Sequence, residues 1–444
     1  MLKHVLRVGA IIVVVAIAIV VYMAWPDRAA LSVADVAGAR PTLTEPRVQT
    51  IPTVGTAKPV GWANGETPAP APGLAVKAFA TGLDHPRWLY RLPNGDVLVA
   101  ETNSPPRKSG GIQAWVMGVL FNRVGAGVSS ANRITLLRDA DGDGVAEIKV
   151  PFLTGLNSPF GMALFEGQLY IADTDALVRV PYHDGETRIT AKAELVVKLP
   201  GGGNHWARNV IPAPDGRTLY VSVGSSTNIA DDGIEAERYR ANILQVYPKE
   251  KTYRIYGAGL RNPNGMAINP TTGQLWTVVN ERDMLGSDLA PDYLTQVEFG
   301  DHFGWPWYYW GGYRDERVEP ANPALQQYSK RPDYALGPHV AALGLAFSGD
   351  ARLGSRWAHG AFVGEHGSWN RKPLSGYKVV YVPFAATGFP VAGAKPVDVL
   401  TGFLTVAGKA HGRPVGVITD KTGALLVADD VGNRVWRVTA AAGR

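Results

Sequence analysis

The sequence contains no cysteine. This absence excludes disulfides, a thiol nucleophile, zinc held by cysteines, and covalent c-type haem attachment through a C-x-x-C-H motif. Charged residues are few, at 19 % of the 444 residues, which argues against widespread disorder. The net charge of +5 is not gathered into a run of lysine and arginine, so the composition gives no support for nucleic-acid binding.

Glycine and proline are abundant instead, with 51 and 32 residues, a turn chemistry that favours many short strands. One phrase recurs: a glycine, a small apolar pair, a tight turn, and a short strand that ends in a polar residue. Each copy predicts a β-hairpin, and six copies predict an all-β, six-bladed β-propeller with four-stranded antiparallel blades. The copies lie at 87–102, 161–174, 208–224, 265–281, 344–367 and 416–430.

The N-terminus carries the longest apolar run of the chain. Lys3, His4 and Arg7 precede a run over 8–25, which is near the minimum length that spans a bilayer. The run is longer than the core of a usual signal peptide, so we expect 1–26 to be an uncleaved membrane helix rather than a cleaved signal. The preceding positive charges keep the N-terminus cytoplasmic. The remaining chain is then exported, to the periplasm or the cell surface, and anchored in the inner membrane.

Residues 27–74 are rich in proline and alanine and show little periodicity. This composition predicts a linker of polyproline character. The alternative is an ordered strap that packs on the domain. The strand pattern then runs through 75–441, which we expect to be one propeller domain. The last strand, 434–438, is expected to pair with the first blade and so close the ring.

Polar clusters stand where the predicted hairpins open. Gly201–Gly203 lead to His205, and a flexible glycine run lets an imidazole base approach a ligand. The alternative is an ordinary turn histidine. Before the next hairpin, Arg261 offers a planar fork for a carboxylate or a quinone oxygen, and Asn262 follows it.

Further clusters stand at hairpin ends. The loop at Arg282 and Asp283 has acidic residues downstream, so it fits either a hard cation such as Ca²⁺ or a solvated acidic turn. Arg371, Lys372 and the segment 411–413 add histidines and cations at equivalent places. Because equivalent positions of the blades surround one opening of the ring, we expect these clusters to lie close together there. Their expected proximity is stronger evidence for a ligand-binding site than any single cluster.

The segment 139–147 contains Asp at positions one, three and five and Gly at six of an EF-hand loop. Position twelve is Val150, where a bidentate glutamate belongs, so only half of the motif is present. The loop is therefore either a structural Ca²⁺ site or an acidic β-turn.

The clusters, in this order, resemble the pyrroloquinoline quinone (PQQ)-dependent soluble glucose dehydrogenase and L-sorbosone dehydrogenase family. The resemblance covers about 75–440, and LRNPNG at 260–265 followed by FGWP at 303–306 is its most specific part. His205 and HGRPVGV at 411–417 complete it. The segment 280–295 looks closer to the sorbosone dehydrogenase branch than to the glucose enzymes.

The resemblance implies a propeller that holds PQQ and Ca²⁺ in its mouth and oxidises a sugar or sugar-like alcohol or aldehyde. His205 then matches the base for the substrate hydroxyl, and Arg261 matches the arginine that polarises a quinone oxygen. The implied cofactor contacts are Asn262, Arg371 or Lys372, His411 and Arg413. The implied metal ligands are main-chain oxygens near Arg282 and Asp283.

Two residues depart from the family pattern. Asn204 precedes the base where the glucose enzymes carry an acidic residue, and His411 stands where a second arginine is expected. The candidate electron acceptors are the quinone pool and a cytochrome. A Ca²⁺-dependent propeller lactonase and a non-enzymatic propeller that binds a protein or a glycan are the alternative functions.

Overall fold

The computed structural model describes residues 14–15, 26–106 and 127–441. Within these residues the strands form six four-stranded antiparallel sheets, which confirms the predicted blades. Each predicted hairpin supplies the first two strands of one blade. Blade 1 contains Pro86–Arg91, Val97–Glu101, Arg133–Arg138 and Ile148–Thr154; blade 2 contains Met162–Phe165, Gln168–Asp173, Ala176–Pro181 and Glu194–Lys198; blade 3 contains Val210–Pro212, Leu219–Val223, Asn242–Tyr247 and Thr252–Ala258.

The other blades follow the same order, with two additions from the N-terminal part of the chain. Ala69–Pro70 adds an edge strand to blade 5, and Leu74–Thr81 is the fourth strand of blade 6. Blade 4 contains Asn262–Ile268, Leu275–Asn280, Pro291–Val297 and Tyr334–Pro338; blade 5 contains Ala342–Phe347, Gly360–Glu365, Lys378–Pro383 and Val397–Thr401; blade 6 contains Pro414–Thr419, Leu425–Asp429 and Arg434–Ala440.

The remaining elements are short. A small hairpin and four short 3₁₀ helices lie in the described connections. The hairpin strands are Tyr308–Tyr309 and Tyr313–Arg314, and the 3₁₀ helices are Ile234–Glu237, Pro323–Tyr328, Ser348–Asp350 and Ser355–Trp357. In the aromatic segment 304–313 most rings are buried, so they pack the fold rather than face solvent.

The ring closes where the two ends of the domain meet. Arg434–Ala440 pairs with Leu74–Thr81 from Leu74 opposite Ala440 to Thr81 opposite Arg434. The closing partner is therefore the outermost strand of blade 6, and not a strand of the first blade as expected from the sequence. Closure of this kind pairs a strand edge that would otherwise be exposed.

The described core is divided among the blades, with one hydrophobic cluster between each neighbouring pair. Middle strands are covered on both faces, so Leu219–Val223 and Leu425–Asp429 are buried at every residue. Burial on both faces explains why these strands read as apolar runs rather than as an alternating pattern.

The first strands of neighbouring blades meet backbone to backbone at glycines. A Cβ on Gly265 would lie 2.6 Å from the carbonyl oxygen of Leu343, and one on Gly344 would overlap the carbonyl oxygen of Val415. Gly161 and Gly416 are in the same situation against blades 3 and 1. The recurring glycine of the sequence phrase is thus required by the close approach of adjacent blades.

Residues 26–73 lie along the propeller, as the ordered-strap alternative describes. The main chain of Gln49 donates to Met284 O, that of Gly55 to Trp369 O, and that of Val60 to Ala410 O. The strap therefore crosses loops of blades 4, 5 and 6 in turn.

No helix in the described part of the chain has the length and apolar character that crossing a bilayer requires. The predicted membrane helix over 8–25 lies, apart from residues 14 and 15, outside the described residues.

The glycine contacts predict a position-specific cost of adding a methyl group. Gly344→Ala should lower the free energy of unfolding by about 1–3 kcal/mol, because the new Cβ overlaps the backbone of blade 6. Gly349→Ala is the matched control, since its nearest heavy atom would be Pro270 Cγ at 3.6 Å, an ordinary contact. Urea unfolding of both variants checks this, and equal stability would contradict the packing account.

Candidate functional site

Polar residues gather at one edge of the ring because of strand pairing. In an antiparallel hairpin the start of the first strand lies opposite the end of the second. The strand pairing that the blades share therefore brings residues from hairpin openings and hairpin ends to the same rim. The pairs that show this are Pro86 with Glu101, Asn262 with Asn280, Ala342 with Glu365, and Pro414 with Asp429.

His205 is held by main-chain and side-chain oxygens of Ser225. Its Nδ1 lies 2.8 Å from the carbonyl oxygen of Ser225 and 3.0 Å from the hydroxyl. Because the carbonyl can only accept, Nδ1 carries the proton and Nε2 is left as the acceptor. Burial, followed by the nearby charge of Arg261, lowers the pKa of His205 to about 3, so the ring is neutral at pH 7.

The exposed side chain of Asn204 takes no part in orienting this imidazole in the described structure, where Ser225 does so. The loop before His205 is held instead by two arginines that belong to none of the predicted polar clusters. Buried Arg208 donates to the carbonyl oxygens of His205 and Pro200, and Arg240 donates to those of Gly201 and Gly202. These hydrogen bonds therefore fix the backbone of Gly201 and Gly202.

Arg261 has four hydrogen bonds to the protein. It donates to Glu281 O at 2.8 Å, to Asp283 Oδ2 at 3.0 Å, and to the side chain and main chain of Asn228. A guanidinium has five N–H groups, so one N–H of Nη1 is left for a ligand. The position of the guanidinium is fixed before any ligand arrives.

Asp283 joins Arg261 to a buried histidine in the connection between blades 4 and 5. His339 Nδ1 lies 3.3 Å from Asp283 Oδ1, and His339 Nε2 lies 3.0 Å from Gly286 O. Burial alone would lower the pKa of His339, but the hydrogen bond and charge of Asp283 outweigh it and raise that pKa. The pKa of Asp283 is lowered because Arg261 and His339 outweigh its burial.

Asn262 lies beside His205. A Cβ added to Gly224 would meet both Asn262 Oδ1 and the Cβ of His205, at 2.6 Å for the latter. Asn262 Nδ2 faces Asn280 Oδ1 at 3.3 Å, whereas its Oδ1 is buried without a hydrogen-bond partner in the described structure. The unpartnered oxygen is an acceptor available to a ligand.

A second cluster surrounds Asp430. Arg87 Nη1 donates to Asp430 Oδ2, His366 Nε2 lies 2.8 Å from the same oxygen, and His85 Nε2 lies 3.5 Å from it. Burial lowers the pKa of both histidines, that of His366 to about 4. Arg413 completes the cluster, with Nη2 3.2 Å from Tyr377 Oη and its guanidinium over that ring.

The two clusters share one rim. Trp206 follows His205, and the guanidinium carbon of Arg87 lies 5.7 Å from its ring centre. On the opposite side the main chain of His366 donates to Ala341 O at 2.9 Å, two residues after His339. The structure thus brings His205, Arg261, Asn262, Asp283 and Arg413 to a continuous rim.

Other predicted cofactor contacts face elsewhere. The guanidinium of Arg371 donates to the carbonyl oxygens of Ser287, Pro373 and Leu31 and lies buried under the strap. Lys372 is half-buried beside it and accepts from Ala29 N through its carbonyl. His411 stacks on Trp62 of the strap at 4.9 Å, and its Nδ1 lies 2.8 Å from Gly61 O. These three residues contact the strap in the described structure.

The predicted metal loop is already occupied by protein contacts. Arg282 is fully buried and donates to Tyr308 O, with Glu281 and Asp315 as ion-pair partners. Asp283 uses both carboxylate oxygens for Arg261 and His339, and its carbonyl accepts from Asn228 and Arg317. The oxygens of Asp283 are therefore engaged by the protein, and a Ca²⁺ ligand at the main chain of Arg282 stays a prediction.

The loop at 139–147 gathers four carboxylates, those of Asp139, Asp141, Asp143 and Glu147, with oxygens within 4.8 Å of one another. The same carboxylates accept main-chain N–H groups of their own loop, for example Gly142 N to Asp139 Oδ1 at 2.8 Å. The geometry suits both an acidic turn and a cation clip, so Ca²⁺ here stays a prediction.

A family model of known proteins matches most of the chain. Residues 68–292 and 311–441 match the model described as TrAA12-like. The chain belongs to the TrAA12-like family. An uncharacterised protein of Borreliella burgdorferi is 27 % identical over 360 residues, which are 78 % of this chain and 90 % of that protein.

Solved structures share the propeller. The iodide structure of Trichoderma reesei family AA12 has a TM-score of 0.69 at 18 % identity and covers 85 % of this chain and 100 % of its own. The holo PQQ domain of Coprinopsis cinerea pyranose dehydrogenase has a TM-score of 0.67 at 20 % identity, with 86 % and 100 % covered. A PQQ-dependent pyranose dehydrogenase of that organism is also 32 % identical over 130 residues, 26 % of this chain and 17 % of that protein. The resemblance drawn from the motifs is confirmed.

Sequence reasoning missed several rim residues. His85 and Arg87 open the first hairpin with the same His-x-Arg spacing as His411 and Arg413 open the sixth, so a comparison of repeats would have found them. Asn228 and His339 come from long connections without periodicity, and no signal in the sequence points to them.

The pair of Asp283 and His339 predicts a pH-dependent stability. The raised pKa of His339 means that its charged form stabilises the fold below the unfolded value of about 6.5, and that this contribution is lost as pH rises through the folded pKa. The lowered pKa of Asp283 gives a contribution that is present above about 3.9 and lost only as pH falls through its folded pKa. The wild type should therefore exceed His339→Gln in unfolding free energy by more at pH 5.5 than at pH 9.

Denaturant unfolding at the two pH values measures this difference. His183→Gln is the control, because His183 has a side chain that is 82 % exposed. A gap between wild type and His339→Gln that is the same at both pH values would contradict the proposed ion pair.

Proposed function

We propose that this protein oxidises a sugar, or a sugar-like alcohol or aldehyde, with PQQ bound in the mouth of the propeller. The observation that carries the proposal is one rim that combines a neutral histidine with a free acceptor nitrogen and two fixed arginines. The TrAA12-like family membership and the PQQ-dependent relatives support it.

The rim residues fit a polyanionic quinone. Arg413 Nε and Asn262 Oδ1 are buried polar atoms without partners in the described structure, and Arg261 retains one N–H. Buried polar groups are normally paired, so unpartnered atoms at one rim indicate a polar ligand. Arg261, Asn262 and Arg413 would hold PQQ, which supplies a two-electron acceptor for a hydride from the substrate carbon.

His205 would take the proton of the substrate hydroxyl at Nε2. The hydrogen bond from Nδ1 to Ser225 O fixes the tautomer that leaves Nε2 unprotonated. Asp283, Asn228 and Glu281 O hold Arg261 in place, so its charge is available without reorganisation. The same charge contributes to the low pKa of His205, and an anion bound at Arg261 would raise it towards the range in which a base works best.

No step of this mechanism is assigned to Ca²⁺, because the oxygens of Asp283 are engaged by the protein. We propose that the domain is exported and anchored through 8–25, with electrons passing from PQQ to the quinone pool or a cytochrome. Arg371 is not assigned to the cofactor, since its guanidinium donates to main-chain oxygens of Ser287, Pro373 and Leu31, whereas a cofactor contact of the Lys372 ammonium stays a prediction.

The catalytic proposal predicts a strong effect of His205→Gln. Loss of a general base typically lowers the rate by 10²–10⁴-fold, whereas binding of PQQ should be retained. The measurements are PQQ binding to the full chain by fluorescence quenching, and dye-linked oxidation of a panel of sugars with PQQ added.

Asn204→Ala is the matched control, because this neighbour is exposed and should leave turnover within about twofold. Near wild-type turnover in His205→Gln would remove the base assignment. Absence of PQQ binding to the wild type would overturn the proposed function itself.

A further inference from the structure

The cluster around Asp430 contains three buried polar atoms that have no hydrogen-bond partner in the described structure. They are His85 Nε2, Arg87 Nε and Arg413 Nε. His85 is 5 % exposed and Arg413 is 6 % exposed, so water does not readily satisfy them. Three unpartnered atoms in one cluster call for a ligand that accepts hydrogen bonds.

The charges of the cluster point to the kind of ligand. Asp430 Oδ2 is the shared acceptor for Arg87 and His366 and lies 3.5 Å from His85 Nε2, and Asp430 Oδ1 accepts from Val431 N. The neighbouring carboxylate of Asp429 is used elsewhere: its oxygens accept from Trp62, Trp436 and the main chain of Arg413. Asp430 Oδ2 therefore faces one arginine and two histidines. Arg413 adds a second cation, whose described side-chain partner is the Tyr377 hydroxyl, so the cluster has a surplus of donors.

We propose that His85, Arg87, His366 and Arg413 form a carboxylate-binding subsite on blades 1, 5 and 6, with Arg87 as its second cation beside Arg413. The ligand is a carboxylate, because a planar anion matches the forked guanidinium groups. The carboxylate belongs either to PQQ, in which case the inference rests on the proposed function, or to an acidic sugar substrate.

Arg87 is the residue of this cluster that the sequence did not single out. The sequence assigned the second cation to His411, Arg371 or Lys372, but the first stacks on Trp62 and the second donates to main-chain oxygens. Arg87 instead lies 6.0 Å from the ring centre of Phe160 and 5.7 Å from that of Trp206, next to the proposed base. The rings of Phe160 and Trp206 thus both lie against the guanidinium of Arg87.

The test compares Arg87→Gln and Arg87→Lys with the wild type as full chains. PQQ affinity is measured by quenching of tryptophan fluorescence, with the trimethyl ester of PQQ as a second probe. Arg133→Gln is the matched control, because Arg133 also pairs with a hairpin-end carboxylate, Glu101, but none of its nitrogens is a buried atom without a partner. Thermal unfolding of each variant checks that it folds.

If the carboxylate is that of PQQ, Arg87→Gln should bind PQQ about ten- to a hundredfold more weakly, whereas Arg87→Lys should lose less. Arg133→Gln should stay within about twofold. The difference between wild type and Arg87→Gln should disappear with the trimethyl ester, which has no carboxylate. An equal loss with the ester would overturn the subsite, since the contact would then not involve a carboxylate.

If the carboxylate is that of the substrate, Arg87→Gln should leave PQQ affinity unchanged. It should then raise KM for glucuronate about ten- to a hundredfold and leave KM for glucose unchanged. An unchanged PQQ affinity together with unchanged KM values overturns the subsite, although the proposed function would stand.

Failure of the proposed function is distinguishable from failure of the subsite. If wild type does not bind PQQ, glucuronate alone is titrated into wild type and Arg87→Gln by calorimetry. Binding that is lost in Arg87→Gln supports the subsite without PQQ. Absence of glucuronate binding to the wild type overturns it.

Discussion

The close approach of the first strands of adjacent blades is the constraint on which the rest of the molecule depends. At Gly161, Gly265, Gly344 and Gly416 the neighbouring backbone leaves no room for a Cβ. Blades that meet at this distance hold their hairpin openings on one narrow rim. Side chains separated by hundreds of residues, such as Arg87 and Asp430, are therefore within hydrogen-bonding distance without any local flexibility.

The arginines of the rim are pre-organised. Arg208, Arg240 and Arg261 donate to main-chain carbonyl oxygens, so their positions are set by the backbone. A guanidinium that already has its partners does not collapse onto a neighbour when a ligand leaves. Such fixed groups are worth most where water is excluded, because no reorganisation is needed when charge develops.

The sequence predicted the hairpins well, because the glycine phrase is imposed by blade packing and the polar hairpin ends by strand pairing. It also predicted His205, Arg261 and Arg413 as rim residues. It could not separate a tether from a strap in 27–74, since the strap is held by main-chain contacts such as Val60 N to Ala410 O that leave no compositional mark. For the same reason it could not foresee that Arg371 and His411 face the strap.

Two carboxylates of the rim make the contrast that matters for function. Asp283 and Asp430 each bind an arginine and a histidine. For Asp430 these come from blades 1 and 5, whereas Arg261 opens the same blade as Asp283 and His339 lies in the connection from blade 4 to blade 5. Around Asp283 nearly all donors are matched by acceptors, because Asn228, Glu281 O and Gly286 O take all but one of the remaining N–H groups. Around Asp430 they are not, and three nitrogens stay unpartnered in the described structure. The first arrangement fixes an arginine beside the proposed base, whereas the second keeps donors available for an anion. A carboxylate paired with an arginine and a histidine thus holds a fixed positive charge on one side of the mouth. On the other side the same kind of group forms the proposed anion-binding subsite.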